Sequence, residues 1–105
     1  MKELTLSQLT ILLAILRLKD NAYGVTIRRQ IHEVTGKAFP YGTLYSFLEL
    51  LHKKGYVEKF IGGPTKKRGG RRKILYKPTK KGLEALQAAQ KLQKALWRDI
   101  PEKVV

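Results

Sequence analysis

The sequence predicts an α+β domain with three helices, a two-stranded β-hairpin and a long final helix. Apolar residues recur at helical spacing in three segments before Gly55. Two short runs rich in β-branched and aromatic residues follow, and a polar loop separates them. Apolar residues recur at helical spacing again after Thr79. A chain of 105 residues is long enough for one such domain with a modest core.

The first predicted helix begins near Ser7, a plausible N-cap, and ends at Leu18 or Lys19. It carries two apolar stripes on nearly opposite sides: Leu9, Leu12, Leu13 and Leu16 on one, and Ile11, Ile15 and Leu18 on the other. A helix that is apolar on two faces must be covered twice. We expect the domain core to cover one face and a second subunit to cover the face of Ile11, Ile15 and Leu18. The alternative is that both faces lie inside one core.

The second predicted helix opens at residues 22–25, after a turn at Asp20 and Asn21, and Gly36 ends it. Its buried stripe consists of Ile27, Ile31 and Val34. Arg28 and Arg29 lie off this stripe, where they either contact phosphates or form a solvated face.

The third predicted helix lies between Pro40 and Gly55, two residues typical of a helix start and a helix end. Its buried stripe consists of Leu44, Phe47, Leu48 and Leu51, and its opposite face carries Gly42, Thr43, Ser46, Glu49 and Lys53. Such a small, polar face can enter a DNA major groove. An ordinary amphipathic helix is the alternative. With the short link at residues 37–39, the second and third helices have the proportions of a helix-turn-helix.

Two strands are predicted at residues 56–61 and 74–76, joined by a long basic loop. Six of the eight residues from Lys66 to Lys73 are basic. The predicted fold is therefore a winged helix-turn-helix, in which the β-hairpin forms a wing that meets nucleic acid. A disordered solubilising loop or a localisation signal is the alternative interpretation of the basic segment.

The last predicted helix starts at Lys80, capped by Thr79, and runs to about Arg98, a length of roughly 28 Å. One stripe contains Ala85, Ala89, Leu92, Leu96 and Ile100. Because the helix overshoots a small winged body, we expect its distal half to need a partner. The predicted organisation is a DNA-binding domain at residues 1–79 and a C-terminal dimerisation helix with its tail at residues 80–105.

The charge of the chain points to a polyanionic partner. The formal net charge is +14, and residues 53–81 contain twelve basic residues and one acid, Glu58. Nucleic acid is favoured over a membrane surface, since each neutralised phosphate releases a counterion. The sequence contains no run of about 18 apolar residues and no signal-peptide pattern, so we expect a cytoplasmic protein without a membrane partner.

No residue pattern indicates catalysis, a metal or a cofactor. The chain has no cysteine, and His32 and His52 have no metal-ligand spacing around them. The glycines at 63 and 69 do not match a phosphate-binding loop, because no Gly-Lys-Ser/Thr follows at the required spacing. We therefore expect a binding protein rather than an enzyme.

Several motifs together resemble the PadR-type transcriptional regulators. They are Leu12-Leu13-Ala14-Ile15-Leu16, Ala22-Tyr23-Gly24, Gly42-Thr43-Leu44-Tyr45, residues 51–57, Gly70-Arg71-Arg72-Lys73 and residues 76–82. The resemblance covers roughly residues 6–86. It implies a dimer of winged helix-turn-helix domains that binds a near-palindromic operator on double-stranded DNA and usually represses.

Site residues follow from the helix face, the basic loop and this resemblance. The predicted DNA-binding residues are Tyr41, Gly42, Thr43, Tyr45, Ser46, Lys53, Lys66, Lys67, Arg68, Arg71, Arg72 and Lys73. The predicted dimer-interface residues are Ile11, Ile15, Leu18, Ala89, Leu92 and Leu96. Many family members have Ser-Pro before the Gly-Thr-Leu-Tyr motif, whereas Pro40-Tyr41 stands here, so the first N–H groups of the third helix are left for a phosphate.

Two functional questions remain open at this point. Some relatives respond to aromatic compounds, which makes Trp97, the only tryptophan, a candidate wall of a small aromatic effector pocket. A packing or surface role is the alternative for Trp97. The alternative to an operator-specific regulator is an architectural DNA- or RNA-binding protein that uses the basic wing without sequence selectivity.

Overall fold

The computed structural model describes residues 3–62 and 73–103 and confirms the predicted α+β winged-helix fold. Within that part of the chain, the elements in order are α1 (Leu6–Leu18), α2 (Gly24–Thr35), α3 (Tyr41–Lys53), β1 (Val57–Ile61), β2 (Ile74–Pro78) and α4 (Lys80–Trp97). The strands are antiparallel, with Val57 opposite Pro78 and Ile61 opposite Ile74. A short 3-10 turn, Lys19–Asn21, links α1 to α2, and the backbone N–H of Tyr76 in β2 donates to the carbonyl of Ala22.

Helix α1 begins at a different cap from the one predicted. Thr5, not Ser7, is the N-cap: the backbone N–H of Gln8 donates to the Thr5 hydroxyl, and the Gln8 side chain accepts from the Thr5 N–H. This reciprocal pair needs a Gln or Glu three residues after the cap, which Thr5 has and Ser7 lacks. Ser7 therefore lies inside the first turn.

The core corrects the prediction for the two faces of α1. Ile11 and Ile15, predicted at a dimer interface, are completely buried inside the single chain, so that prediction is wrong for both. Helix α1 crosses the centre of the domain and is covered by α2, α3, α4 and β2. Its outward side chains are Leu13 and Leu16, each 42% exposed. Leu18 is only partly buried.

Helix α2 buries Ile27 and Ile31 as predicted, but Val34 is 61% exposed. Val34 lines a groove between α1 and α2 that is open to solvent, so its side chain is not enclosed by the core. Gly36 ends the helix with a left-handed backbone (φ 75°), which glycine adopts without the steric cost of a side chain.

Helix α3 is anchored as its apolar spacing predicts. Leu44, Leu48 and Leu51 are completely buried, and Phe47 packs partly buried beside them. The helix runs from Tyr41, with Pro40 as its N-cap, and the chain turns into β1 through Gly55 at φ 80°.

Thr79 joins the end of α3 to the start of α4. Its hydroxyl donates to the Gly55 carbonyl at 2.6 Å and accepts from the backbone N–H of Gly82 at 3.0 Å, while its own backbone N–H donates to the Tyr56 carbonyl at 3.0 Å. The first turn of α4 packs closely against the chain at the start of β1. A Cβ added at Gly82 would stand 2.2 Å from the Tyr56 carbonyl oxygen. A side chain at residue 82 would therefore push α4 away from the hairpin.

We expect Gly82→Ala to lower the free energy of unfolding by about 2 kcal/mol, because overpacking against backbone outweighs the better helix propensity of alanine. Gly42→Ala is the matched control, since this first-turn glycine of α3 has open space around its Cβ position. It should be neutral or slightly stabilising. Urea unfolding of both variants measures the difference, and equal stability of the two would contradict the role given to Gly82.

Candidate nucleic-acid interface

The outward face of α3 presents a line of four residues. At about 100° per residue, Gly42, Ser46, Glu49 and Lys53 fall within one narrow sector directly opposite the buried leucines. All four residues are exposed, as is Thr43 to one side of the sector. The predicted exposed face of the third helix is thus present as a continuous surface.

Two tyrosines flank the start of this line. The rings of Tyr41 and Tyr45 are stacked, with centroids 6.3 Å apart and an angle of 24° between the planes. The Tyr45 hydroxyl packs on Gly24 so closely that a Cβ on Gly24 would lie 2.2 Å from it. Tyr45 therefore holds α3 against the start of α2, and its ring remains 45% exposed beside the outward line.

Arg28 fixes the turn that precedes α3. Its Nε donates to the Phe39 carbonyl at 2.6 Å, and its guanidinium carbon lies 4.7 Å from the centroid of the Tyr41 ring. A cation over an aromatic ring is attracted by the negative face of the ring. The sequence pattern left Arg28 as a phosphate contact or a solvated residue, whereas the fold uses it to position the first turn of α3.

Glu49 and Lys59 form an ion pair between α3 and β1. Lys59 Nζ donates to Glu49 Oε1, with the two side chains 34% and 60% exposed, respectively. The hydrogen bond and charge of Lys59 hold the pKa of Glu49 below its ordinary value. Sequence reasoning missed this pair because its members lie on different elements, and helical spacing carries no information about contacts between elements.

Other basic side chains lie along the hairpin and its junction. Lys73 Nζ is 4.4 Å from the centroid of the Tyr23 ring, and Lys77 Nζ is 5.8 Å from that of Phe60. Lys81 Nζ donates to the Lys54 carbonyl at 2.9 Å. Five predicted wing residues lie outside the described residues: Lys66, Lys67, Arg68, Arg71 and Arg72.

Tyr76 is the buried residue of strand β2. Burial raises the pKa of its phenol, and the nearby negative charge of Glu49 raises it further. Tyr76 is therefore neutral at physiological pH and acts as a core residue.

The described ranges 3–62 and 73–103 hold no group of three or more His, Asp or Glu side chains placed to bind a metal ion. Over the same ranges, no helix combines the length and apolarity that a membrane crossing requires.

A separate apolar surface lies between α1 and α4. It contains two adjoining grooves of about 600 and 480 Å³. Their apolar walls include Leu6, Leu9, Leu13, Leu16, Leu83, Ala85, Ala89 and Leu92. From Gln90 onward every described residue of α4 is exposed, including Leu96 and Trp97, which lie beyond both grooves.

The chain was compared with known proteins. Residues 12–88 match the family model described as "Transcriptional regulator PadR-like family". A comparison with curated proteins gave no match.

Solved structures of regulators share this fold. A PadR family transcription regulator from Clostridium difficile is 31% identical, with 88% of each chain covered and a TM-score of 0.62. RosR of H. salinarum is 26% identical over 96% of this chain and 84% of its own, with a TM-score of 0.72.

The organohalide-sensing regulator RdhR, solved in a form with bound 2,4-dichlorophenol, is 17% identical over 94% of this chain and 54% of its own. Its TM-score of 0.64 indicates a shared fold.

The family model spans most of the winged domain and the first half of α4, which includes the anchored helix α3 and its outward face. The chain belongs to the PadR-like family of transcriptional regulators.

Proposed function

We propose that this protein is a sequence-specific regulator that binds a near-palindromic site on double-stranded DNA as a homodimer and represses transcription. The observation that carries the proposal is the line of Gly42, Ser46, Glu49 and Lys53 on α3, which points directly away from the core. A rigid helix with such a face fits the major groove, where base edges are distinguishable. The role is binding, and no catalytic step is included in it.

The start of α3 is suited to close approach. Gly42 has open space around it, and no side chain caps the first N–H groups of the helix. Those N–H groups can meet a phosphate while Thr43 and Ser46 reach base edges. Tyr41 and Tyr45, already stacked on each other, add a flat surface beside them.

Phosphate contacts supply most of the proposed affinity. Lys53 lies at the far end of the outward line, and Lys73 lies at the base of the wing. On the basis of sequence alone, we add five residues of the basic loop as proposed phosphate contacts: Lys66, Lys67, Arg68, Arg71 and Arg72. This distribution suits counterion release along a DNA backbone.

The proposed dimer uses the surface between α1 and α4. Leu13, Leu16, Leu83 and Leu92 are each about 40% exposed there, and Leu96 is 65% exposed. The proposed interface therefore consists of these residues together with Ala89 and Leu18, and it no longer includes Ile11 and Ile15. A two-fold axis through this surface would set two α3 helices about one DNA turn, roughly 34 Å, apart. Residues 1–79 would then bind DNA, and residues 80–105 would hold the dimer.

A small aromatic effector is a second proposal, supported by Trp97. The indole is 57% exposed at the end of α4, close to where a two-fold dimer would bring apolar walls together. RdhR, which shares this fold, was solved with a chlorinated phenol bound. We propose a planar phenol as the ligand class.

The DNA-binding proposal predicts different effects for bases and phosphates. Thr43→Ala and Ser46→Ala should each weaken binding to a selected operator about tenfold and leave random-duplex affinity nearly unchanged. Lys53→Gln should weaken both and reduce the slope of log K against log[salt] by about 0.9. Lys94→Gln, on the distal half of α4, is the control for loss of one charge. Fluorescence anisotropy at several salt concentrations measures the affinities and the salt slope. If the unmodified protein binds the selected operator and random duplexes equally well, an architectural binder is favoured instead.

The dimer proposal predicts that Leu92→Asp yields a folded monomer with weakened operator binding, because a charge would be buried in the subunit contact. Leu50→Asp is the matched control for the mass alone, because Leu50 is 38% exposed against 39% for Leu92 but lies on the proposed DNA-reading helix. Sedimentation velocity reports the mass, and circular dichroism verifies the fold. A Leu92→Asp protein that sediments like the unmodified protein would place the interface elsewhere.

The effector proposal predicts that a planar phenol quenches the fluorescence of Trp97 saturably and shifts operator affinity. No other tryptophan contributes to this signal. Trp97→Phe should keep DNA binding and lose the response to the phenol. If a panel of substituted phenols changes neither fluorescence nor affinity, Trp97 has no sensing role.

A further inference from the structure

We infer that Glu49 is a specificity-determining residue of α3 that selects a cytosine in the major groove. The inference rests on the proposed reading of DNA by α3, and it adds a base identity at one position of the site. A carboxylate on a DNA-facing surface is costly next to phosphates, so its presence in the middle of the outward line needs a reason.

The first argument is position. Glu49 lies near the middle of the outward line along the helix axis, three residues after Ser46 and four before Lys53, and it is the only acid on α3. It lies about 10 Å along the helix axis from Gly42 and shares the outward direction of Gly42 and Ser46. A helix that lies along the major groove with this face towards the groove floor therefore points the Glu49 side chain at the base edges.

The second argument is the hydrogen-bonding chemistry of the bases. An ionised carboxylate only accepts hydrogen bonds. Guanine offers acceptors at N7 and O6, thymine offers O4, and adenine places its N7 acceptor next to its amino group. Cytosine offers the N4 amino donor without a neighbouring acceptor on its major-groove edge. Glu49 should therefore favour cytosine and repel guanine and thymine at the same position.

The third argument is preorganisation by Lys59. The ammonium group of Lys59, on the neighbouring strand, donates to Oε1 of Glu49, which restrains the carboxylate and leaves Oε2 for a base. With the side chain already restrained, less conformational entropy is lost on binding. The cation also offsets the repulsion between Glu49 and nearby phosphates.

The competing explanation is an ion pair that only ties α3 to β1. In that case Glu49 would affect stability and overall affinity but not the base preference. Glu58 provides the matched control, because it is the neighbouring exposed acid on β1 and its removal changes the net charge by the same amount.

The test is selection of bound sequences from a random duplex pool with the unmodified protein, Glu49→Gln and Glu58→Gln. We expect the unmodified protein to select a site with one symmetry-related pair of cytosines whose replacement weakens binding about tenfold. Glu49→Gln should shift this position towards adenine, since an amide can both accept from N6 and donate to N7. Glu58→Gln should raise affinity for all duplexes and keep the selected sequence.

Three outcomes overturn the inference. If the unmodified protein selects no sequence, the proposed operator reading fails and this inference fails with it. If a site is selected but Glu49→Gln selects the same one, α3 reads DNA without Glu49. If Glu49→Gln and Glu58→Gln only raise affinity equally, the Glu49 carboxylate contributes charge alone.

Discussion

The junction at Thr79 is the contact on which the arrangement of α3, the β-hairpin and α4 depends. One residue donates to the carbonyls of Gly55 and Tyr56 and accepts from Gly82, so the end of α3, the start of β1 and the start of α4 are bound together. These polar groups need partners within the protein because the junction is partly buried. The glycine at 82 lets the backbones meet, and Gly55 supplies the left-handed turn between α3 and β1.

Two cations contact α3 and the turn before it. Arg28 of α2 binds the carbonyl before the helix and covers Tyr41, while Lys59 of β1 binds Glu49 further along. Exposed ion pairs contribute little to stability, so their greater effect is to limit the conformations of the side chains they join. A recognition helix benefits from this, because restrained side chains lose less entropy when they meet bases.

The residues that line the apolar surface between α1 and α4 include none from α3. A small domain buries only part of its apolar surface, and here the excess is gathered on one continuous side rather than scattered. A second copy of the chain is the proposed cover for this surface. The two-fold symmetry of that dimer would match the proposed near-palindromic operator.

The sequence by itself determined the order and type of the elements, the buried stripe of α3 and its exposed face, because these depend on local spacing and on local start and stop residues. Only the tertiary structure decided how the two apolar stripes of α1 are covered. Leu12 of one stripe and Ile11 and Ile15 of the other are all completely buried, because α2, α3, α4 and β2 together surround most of the helix. The same holds for Val34, which periodicity placed inside, and for the roles of Arg28 and Glu49. Folding brings Arg28 to Phe39 and Tyr41, and Glu49 to Lys59. Periodicity along the chain does not identify these partners.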